Sequence, residues 1–315
     1  MRTILFHRKY RRFHGGHLKV WHYFNHVLAT PGFEAQVLFD ANSSWDSSNP
    51  WYEARDRVLD LPSVSVDDLA PAALFVAGRD WQRLDALGLL DRDIPILNLI
   101  QHVRHAEDWS IQARYLERRA IRLCVGAEVE AAVQAADSQG PTVVIPNGSD
   151  VPLDESVGGE RPVDLLIAGL KHPVLAREAA AALSAPDRTV ELLIEHLPRE
   201  AFLAALRRAR VTLFLPNEEE GFYLPALEGM ALGTLVVCPD CIGNRSFVLP
   251  GINAFRPEYR FDDIVAAAQA ALSLPDDEAQ TLLDRGQDTA RGHSLEAERE
   301  AFGRVLADLD GLWRA

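Results

Sequence analysis

Along nearly the whole chain, short runs rich in Val, Ile and Leu alternate with stretches in which apolar residues recur every three or four positions. The runs at 3–6, 35–39, 74–76, 94–100, 123–125 and 142–145 have the character of parallel strands covered on both faces. Residues 18–28 and 107–118 lie between them with helical spacing. A second series follows. Strands are predicted at 163–168, 190–194, 211–215 and 235–238, and helices at 198–209, from Pro225 onward and at 261–272. This alternation predicts a doubly wound α/β architecture. Residues 40–51 are rich in Ser and Asn and predict a loop, and there is no repeat at a solenoid period.

The alternation is interrupted after Asn147-Gly148, where residues 150–162 are polar and carry no clear period. A domain linker is predicted there, dividing a chain of 315 residues into domains at 1–150 and 151–293. The remainder, 294–315, predicts one closing helix. Ser294 stands at its capping position, and Phe302, Val305, Leu306 and Leu309 are spaced along one face.

Composition narrows the class. No run of apolar residues is long enough for a membrane span, and Met1-Arg2-Thr3-Ile4-Leu5-Phe6 reads as a first strand rather than a signal peptide. The three cysteines form no disulfide framework, and Cys238-Pro239-Asp240-Cys241 has no second pair with which to hold zinc. The expected compartment is the cytoplasm. A formal net charge of −14 disfavours nonspecific adhesion to nucleic acid or membranes. Arg8, Lys9, Arg11 and Arg12 nevertheless cluster after the first strand, either as a solvated loop or as a basic lip for an anionic ligand.

The most specific chemistry lies in Glu220-Gly221-Phe222-Tyr223-Leu224-Pro225-Ala226-Leu227-Glu228, where seven residues separate two carboxylates. Pro225 suits the first position of a helix. That placement puts the amides of Phe222, Tyr223 and Leu224 at a helix N-terminus, where phosphate binds readily, with Glu228 in the first turn. One carboxylate then reaches hydroxyls near the phosphate and the other reaches hydroxyls farther along, an arrangement suited to a nucleotide-sugar. The plain alternatives are a helix-dipole role for Glu228 and a solvated acidic turn for Glu218-Glu219-Glu220.

This stretch resembles the E-x7-E signature of retaining GT-B glycosyltransferases, especially glycosyltransferase family 4. Val144-Ile145-Pro146-Asn147-Gly148-Ser149-Asp150, Val163-Asp164-Leu165-Leu166-Ile167-Ala168-Gly169 and Gly243-Asn244-Arg245-Ser246-Phe247-Val248 resemble further segments of that family. The resemblance covers roughly 142–255. It implies two Rossmann-like domains with a cleft between them, the last helix crossing back onto the first domain with Leu312 and Trp313 as possible anchors. It also implies sugar transfer from a UDP- or GDP-linked donor with retention, no cofactor and no obligatory metal.

By resemblance Glu228 binds the donor ribose and Glu220 the sugar hydroxyls. Lys171 is a candidate for the diphosphate, where a cation stabilises the charge of the leaving group. Here the chain departs from the family: Leu170 stands where an arginine is usual, so one cation is missing or is supplied elsewhere, with Arg245 a candidate. Gly15 and Gly16 permit close approach of backbone to the donor, though a Gly pair is also an ordinary turn. His102, ahead of Arg104 and His105, follows a predicted strand and is a candidate for orienting sugar or acceptor, against a plain core or surface histidine. Arg11, Arg12, His14 and His17 are candidates for the acceptor side. His22 and His26 share a helix face but lack the further ligands a metal needs. The acceptor stays open between a polysaccharide, lipid-linked or small molecule and a nucleic-acid base. A noncatalytic nucleotide-sugar binder and a nucleotide-sugar epimerase are the other classes.

Overall fold

A computed structural model describes residues 1–11, 15–60, 65–153 and 161–315. The chain divides into two compact units, Met1–Asn147 together with Leu295–Ala315, and Gly148–Ser294. Among the described residues, no helix is long and apolar enough to cross a membrane.

The first unit runs β1 (Arg2–Arg8), α1 (Gly15–Leu28), β2 (Phe33–Phe39), β3 (Val58–Asp60), β4 (Ala73–Ala77), α2 (Asp80–Ala86), β5 (Ile96–Ile100), β6 (Ile121–Cys124), α3 (Ala127–Ala135) and β7 (Thr142–Val144). Its strands form one parallel sheet in the order β3-β2-β1-β4-β5-β6-β7. Side chains alternate across that sheet as the period of two requires. Leu5, Leu74 and Val76 pack with Trp81 and Leu84 of α2. On the other face Phe6 stacks on Phe75 at 4.5 Å and meets Phe24 of α1 edge-on at 5.3 Å.

The second unit runs β8 (Val163–Ala168), α4 (Pro173–Leu183), β9 (Val190–Leu193), α5 (Arg199–Arg208), β10 (Ala209–Phe214), α6 (Leu224–Ala231), β11 (Leu235–Val237), α7 (Phe261–Leu272) and α8 (Asp276–Gly292). Its parallel sheet has the order β11-β10-β8-β9. Leu166 and Ala168 face Leu206 of α5 and Leu227 and Met230 of α6. Leu165 and Ile167 face Ala176 and Ala179 of α4 and Ile264 of α7.

The chain then returns to the first unit as α9 (Leu295–Ala307) and α10 (Leu309–Arg314), two helices rather than the single one predicted. Phe302 of α9 packs edge-on against Tyr23 at 4.8 Å, and Trp313 lies against the cluster that holds Leu5 and Trp81. The helix predicted at 107–118 is corrected to turns with one short 3-10 helix, Ala113–Tyr115, another, Val103–Ala106, lying just before the segment. The guanidinium of Arg122, fully buried on β6, draws the carbonyls of Tyr115 and Leu116 at 3.0 Å and that of Arg118. Tyr115 O also accepts the Arg118 amide at 3.2 Å, an i→i+3 bond, while Leu116 O is taken by the Gln139 amide at 2.8 Å, so the segment closes in short turns rather than an i→i+4 ladder.

Candidate functional site

In the second unit the chain leaves β8 for β9 on one side and then crosses to β10 on the other, so the order of the strands reverses between β8 and β10. Open α/β sheets take ligands at such a point, outside the carboxyl ends of the strands. The segments that emerge there carry the predicted residues. Lys171 follows β8 and Glu220 follows β10, and the Lys171 ammonium donates to Glu220 Oε1. The same oxygen accepts the Asn217 amide at 3.1 Å, and Lys171 Nζ lies 5.3 Å from the centre of the Tyr223 ring. Tyr223 is buried, and burial pushes its phenol well above the ordinary value. Gly169 is required at the end of β8, because a Cβ there would sit 2.2 Å from that of Ala176 on α4.

Helix α6 begins one residue earlier than predicted. Leu224 is its first residue, Pro225 its second, and Tyr223 caps it. Glu228 is therefore in the second turn, beyond the short reach of the helix dipole. It is 4% exposed, and its Oε1 accepts from Arg199 Nη1 at 2.7 Å. The second guanidinium nitrogen of Arg199 donates to Asp150. Burial pushes the Glu228 carboxyl above its ordinary value, with Arg199 pulling the other way. Burial opposes the charge of Arg199, yet Glu228 and Asp150 together hold that guanidinium above its ordinary value. The 2.7 Å contact favours the ionised pair.

The expected cradle of three amides is corrected. Tyr223 donates its amide to Gly243 O at 2.9 Å and Leu224 donates to Phe222 O at 3.1 Å. Of the three, only the Phe222 amide has no partner among the described residues. The cause is the close approach of Gly243, where a Cβ would lie 2.8 Å from both Glu220 O and Phe222 N. Arg245, the candidate second cation, is held in a fork on Asp240, with contacts of 3.1 Å and 2.6 Å, while Arg256 approaches the same carboxylate at 3.4 Å.

In the first unit the strand order reverses between β1 and β4, and an ion network fills that point. His7 Nδ1 lies 3.1 Å from Asp80 Oδ1, Arg8 Nη1 donates to Asp80 Oδ2 at 2.8 Å, and Arg8 Nη2 lies 3.1 Å from His17 Nδ1. The basic lip is thus corrected: Arg8 is buried and neutralised, and Lys9 approaches Asp40 at 3.9 Å. Arg11 is exposed, whereas Arg12 and His14 lie outside the described residues. His17, a candidate for the acceptor, is buried against Arg8 and the Tyr10 ring. Gly15 and Gly16 open α1. His102 Nδ1 accepts the Arg104 amide at 3.2 Å and so caps a 3-10 turn. Burial, then the neighbouring His102 and Arg104, push His105 down to about 4. His22 and His26 lie beside a buried pair, Lys19 Nζ to Glu298 Oε2 at 2.6 Å. Among the described residues, no three His, Cys, Asp or Glu side chains gather as a metal site.

Sequence reasoning missed Arg199 and Asp80. Arg199 looks like its helix neighbours Arg207 and Arg208, and its one local distinction is the preceding Pro198 cap. Asp80 opens α2 after a strand, a position where a carboxylate is ordinarily read as serving the helix terminus.

Residues 153–277 match the sequence model of the family described as glycosyl transferases group 1. No curated protein sequence matches the chain. Among solved structures it is similar to HepE of Anabaena in complex with UDP and glucose, at 14% identity and a TM-score of 0.75, covering 98% of this chain and 100% of that one. It is similar to sucrose-phosphate synthase of Thermosynechococcus elongatus at 16% identity and a TM-score of 0.72, covering 99% and 100%. It is also similar to the lipopolysaccharide outer core galactosyltransferase WaaB in its apo form, at 13% identity and a TM-score of 0.69, covering 98% and 99%. With the two parallel α/β units, these likenesses give the fold as GT-B, built from two Rossmann-like domains.

Proposed function

We propose that this protein transfers a sugar from a nucleotide-sugar to an acceptor, with retention of anomeric configuration and without an obligatory metal. The observation that carries the reading is the meeting of Lys171 and Glu220 at the strand-order reversal of the second unit, with Glu228 on the helix that follows. The match of residues 153–277 to group 1 glycosyl transferases supports it. The HepE complexes with UDP and with UDP-glucose support a uridine diphosphate donor, with GDP the other choice.

In this reading the donor separates Lys171 from Glu220. The ammonium moves to the diphosphate and stabilises charge as the sugar–phosphate bond breaks. Glu220, released, accepts hydrogen bonds from sugar hydroxyls and holds the sugar in place. Glu228 takes the ribose, and no residue is assigned as a nucleophile. Within the first unit, His102 is assigned to an acceptor hydroxyl and Arg11 to the acceptor side. A polysaccharide, lipid-linked or small acceptor is favoured over a nucleic-acid base, because burial of Arg8 against Asp80 weakens the basic patch that favoured nucleic acid.

The test is a melting screen with UDP, GDP and their sugars, with and without chelator, followed by a donor-hydrolysis assay. Ligand at a hundred times its Kd should stabilise the protein by about 2.7 kcal/mol. Failure of every nucleotide to shift melting, or binding that vanishes in chelator, would overturn the reading. Binding without any turnover would leave a noncatalytic nucleotide-sugar binder.

A further inference from the structure

Arg199 is the first residue of α5, and its guanidinium spans two carboxylates, donating from Nη1 to Glu228 Oε1 at 2.7 Å and from Nη2 to Asp150 Oδ1. Glu228 is 4% exposed. A carboxylate that deep is costly unless a cation and hydrogen bonds compensate it. Oε2 of Glu228 has no hydrogen-bond partner among the described residues. One oxygen is thus fixed by the protein and the other is left to accept hydrogen bonds from a ligand. Asp150 steadies the opposite edge of the same guanidinium, so the planar fork cannot swing away from Glu228.

We infer that Arg199 is a positioning residue: it holds Glu228 in the orientation with which that carboxylate grips the donor ribose. The inference rests on the nucleotide-sugar reading above. Arg199 acts through Glu228 and touches no reacting atom. The geometry of the guanidinium is essential, since an ammonium is a single point charge and cannot present two fixed edges to two carboxylates.

The experiment is a double-mutant cycle on nucleotide affinity. UDP and GDP are titrated calorimetrically into wild type, R199A, R199K, E228A and the R199A/E228A double variant, each first checked for fold by circular dichroism. R199A should weaken the better nucleotide roughly ten- to a hundredfold, the loss of a charge-assisted hydrogen bond. The double variant should bind no more weakly than E228A alone, and R199K should recover only part of the affinity. Losses that multiply in the double variant would show that Arg199 meets the ligand independently and would overturn the inference. So would R199A binding as wild type while E228A is weak, an outcome that leaves the donor reading intact. If R199A does not fold, R199K decides: affinity equal to wild type overturns the role of the fork. A wild type that binds neither nucleotide overturns the donor reading and this inference with it.

Discussion

Glu220 and Glu228 share one short segment, but their surroundings give them different work. Glu220 is held by a lysine and a backbone amide at the mouth of β10, where its partners can exchange for a ligand. Glu228 is sunk in α6 and fixed by Arg199. If Glu220 holds the sugar as proposed, replacing it by Ala should lower kcat far more than it weakens UDP, because the partner lost is then the sugar and not the nucleotide. A loss of charge-assisted contacts to two hydroxyls amounts to about 1.5–3 kcal/mol each at most. Steady-state kinetics with a nucleotide titration beside them decide this, and an equal loss of UDP affinity in E220A and E228A would undo the division of roles. Spacing made the two carboxylates legible, because a motif is a local property. Lys171, the partner of Glu220, stands beside a matching segment and was legible, whereas the partner of Glu228 was not. Arg199 lies well upstream of Glu228 in sequence, and nothing in its own helix distinguishes it from the solvated arginines nearby. The occupied amides of Tyr223 and Leu224 were equally hidden, since they follow from the approach of Gly243, a contact made only by the folded loop.

Periodicity anticipates α1, α5 and α7, which bury apolar residues at helical spacing, but not α4, whose buried Ala176 and Ala179 are too small to stand out in the sequence, nor α8. Helix α8 buries only Gly286 and Ala290, so its polar sequence gave no stripe to follow. The segment 107–118 failed in the opposite way: it has helical spacing, but its carbonyls are shared between short turns, the Gln139 amide and the buried Arg122. The return of α9 to α1 shows how a polar contact can set the docking of an element. Lys19 and Glu298 meet at 2.6 Å with side chains 1% and 0% exposed, and His26 approaches the same carboxylate at 3.5 Å. Replacing Glu298 by Ala removes the carboxylate that neutralises a buried ammonium, and should destabilise the protein by about 3–5 kcal/mol. Burial pushes the Glu298 carboxyl up, but Lys19 and His26 outweigh it and hold the group below its ordinary value. A carboxyl depressed in the folded state contributes its stability fully above the unfolded value and loses it as pH falls through the folded one. Urea unfolding should therefore show E298A with a large deficit at neutral pH that narrows on the acid side of the ordinary glutamate range. A deficit constant with pH would mean that packing of α9, not the ion pair, fixes the helix.

At the scale of the whole molecule, two parallel sheets of similar design each have a point where strand order reverses, and the chain has furnished the two points differently. In the first unit the charges leaving β1 and β4 are paired: Asp80 neutralises Arg8 and lies beside His7, and His17 meets the other edge of Arg8, although His7 Nε2 and Arg8 Nε are left without hydrogen-bond partners among the described residues. In the second unit the residues leaving β8 and β10 meet at Lys171, which donates to Glu220 and lies over the Tyr223 ring, and a ligand with a diphosphate and a sugar can replace the ion pair on both sides. A network in which every charge already has a partner gains little from an anion, whereas Lys171 exchanges one anionic partner for a more highly charged one. A nucleotide should therefore select the second unit, even though both sheets offer the general geometry of an α/β ligand site. Hydrogen exchange in the presence of saturating UDP can read this directly, because binding slows the local opening of the segments it touches. The expected protection falls on the amides after β8, from Gly169 to His172, and on the loop and helix from Asn217 to Glu228, with the K171A variant losing it. Protection centred instead on the amides around Arg8 and Asp80 would place the nucleotide on the first unit. The network there would then be the donor site, and Lys171 and Glu220 would be a surface ion pair worth about 1 kcal/mol or less.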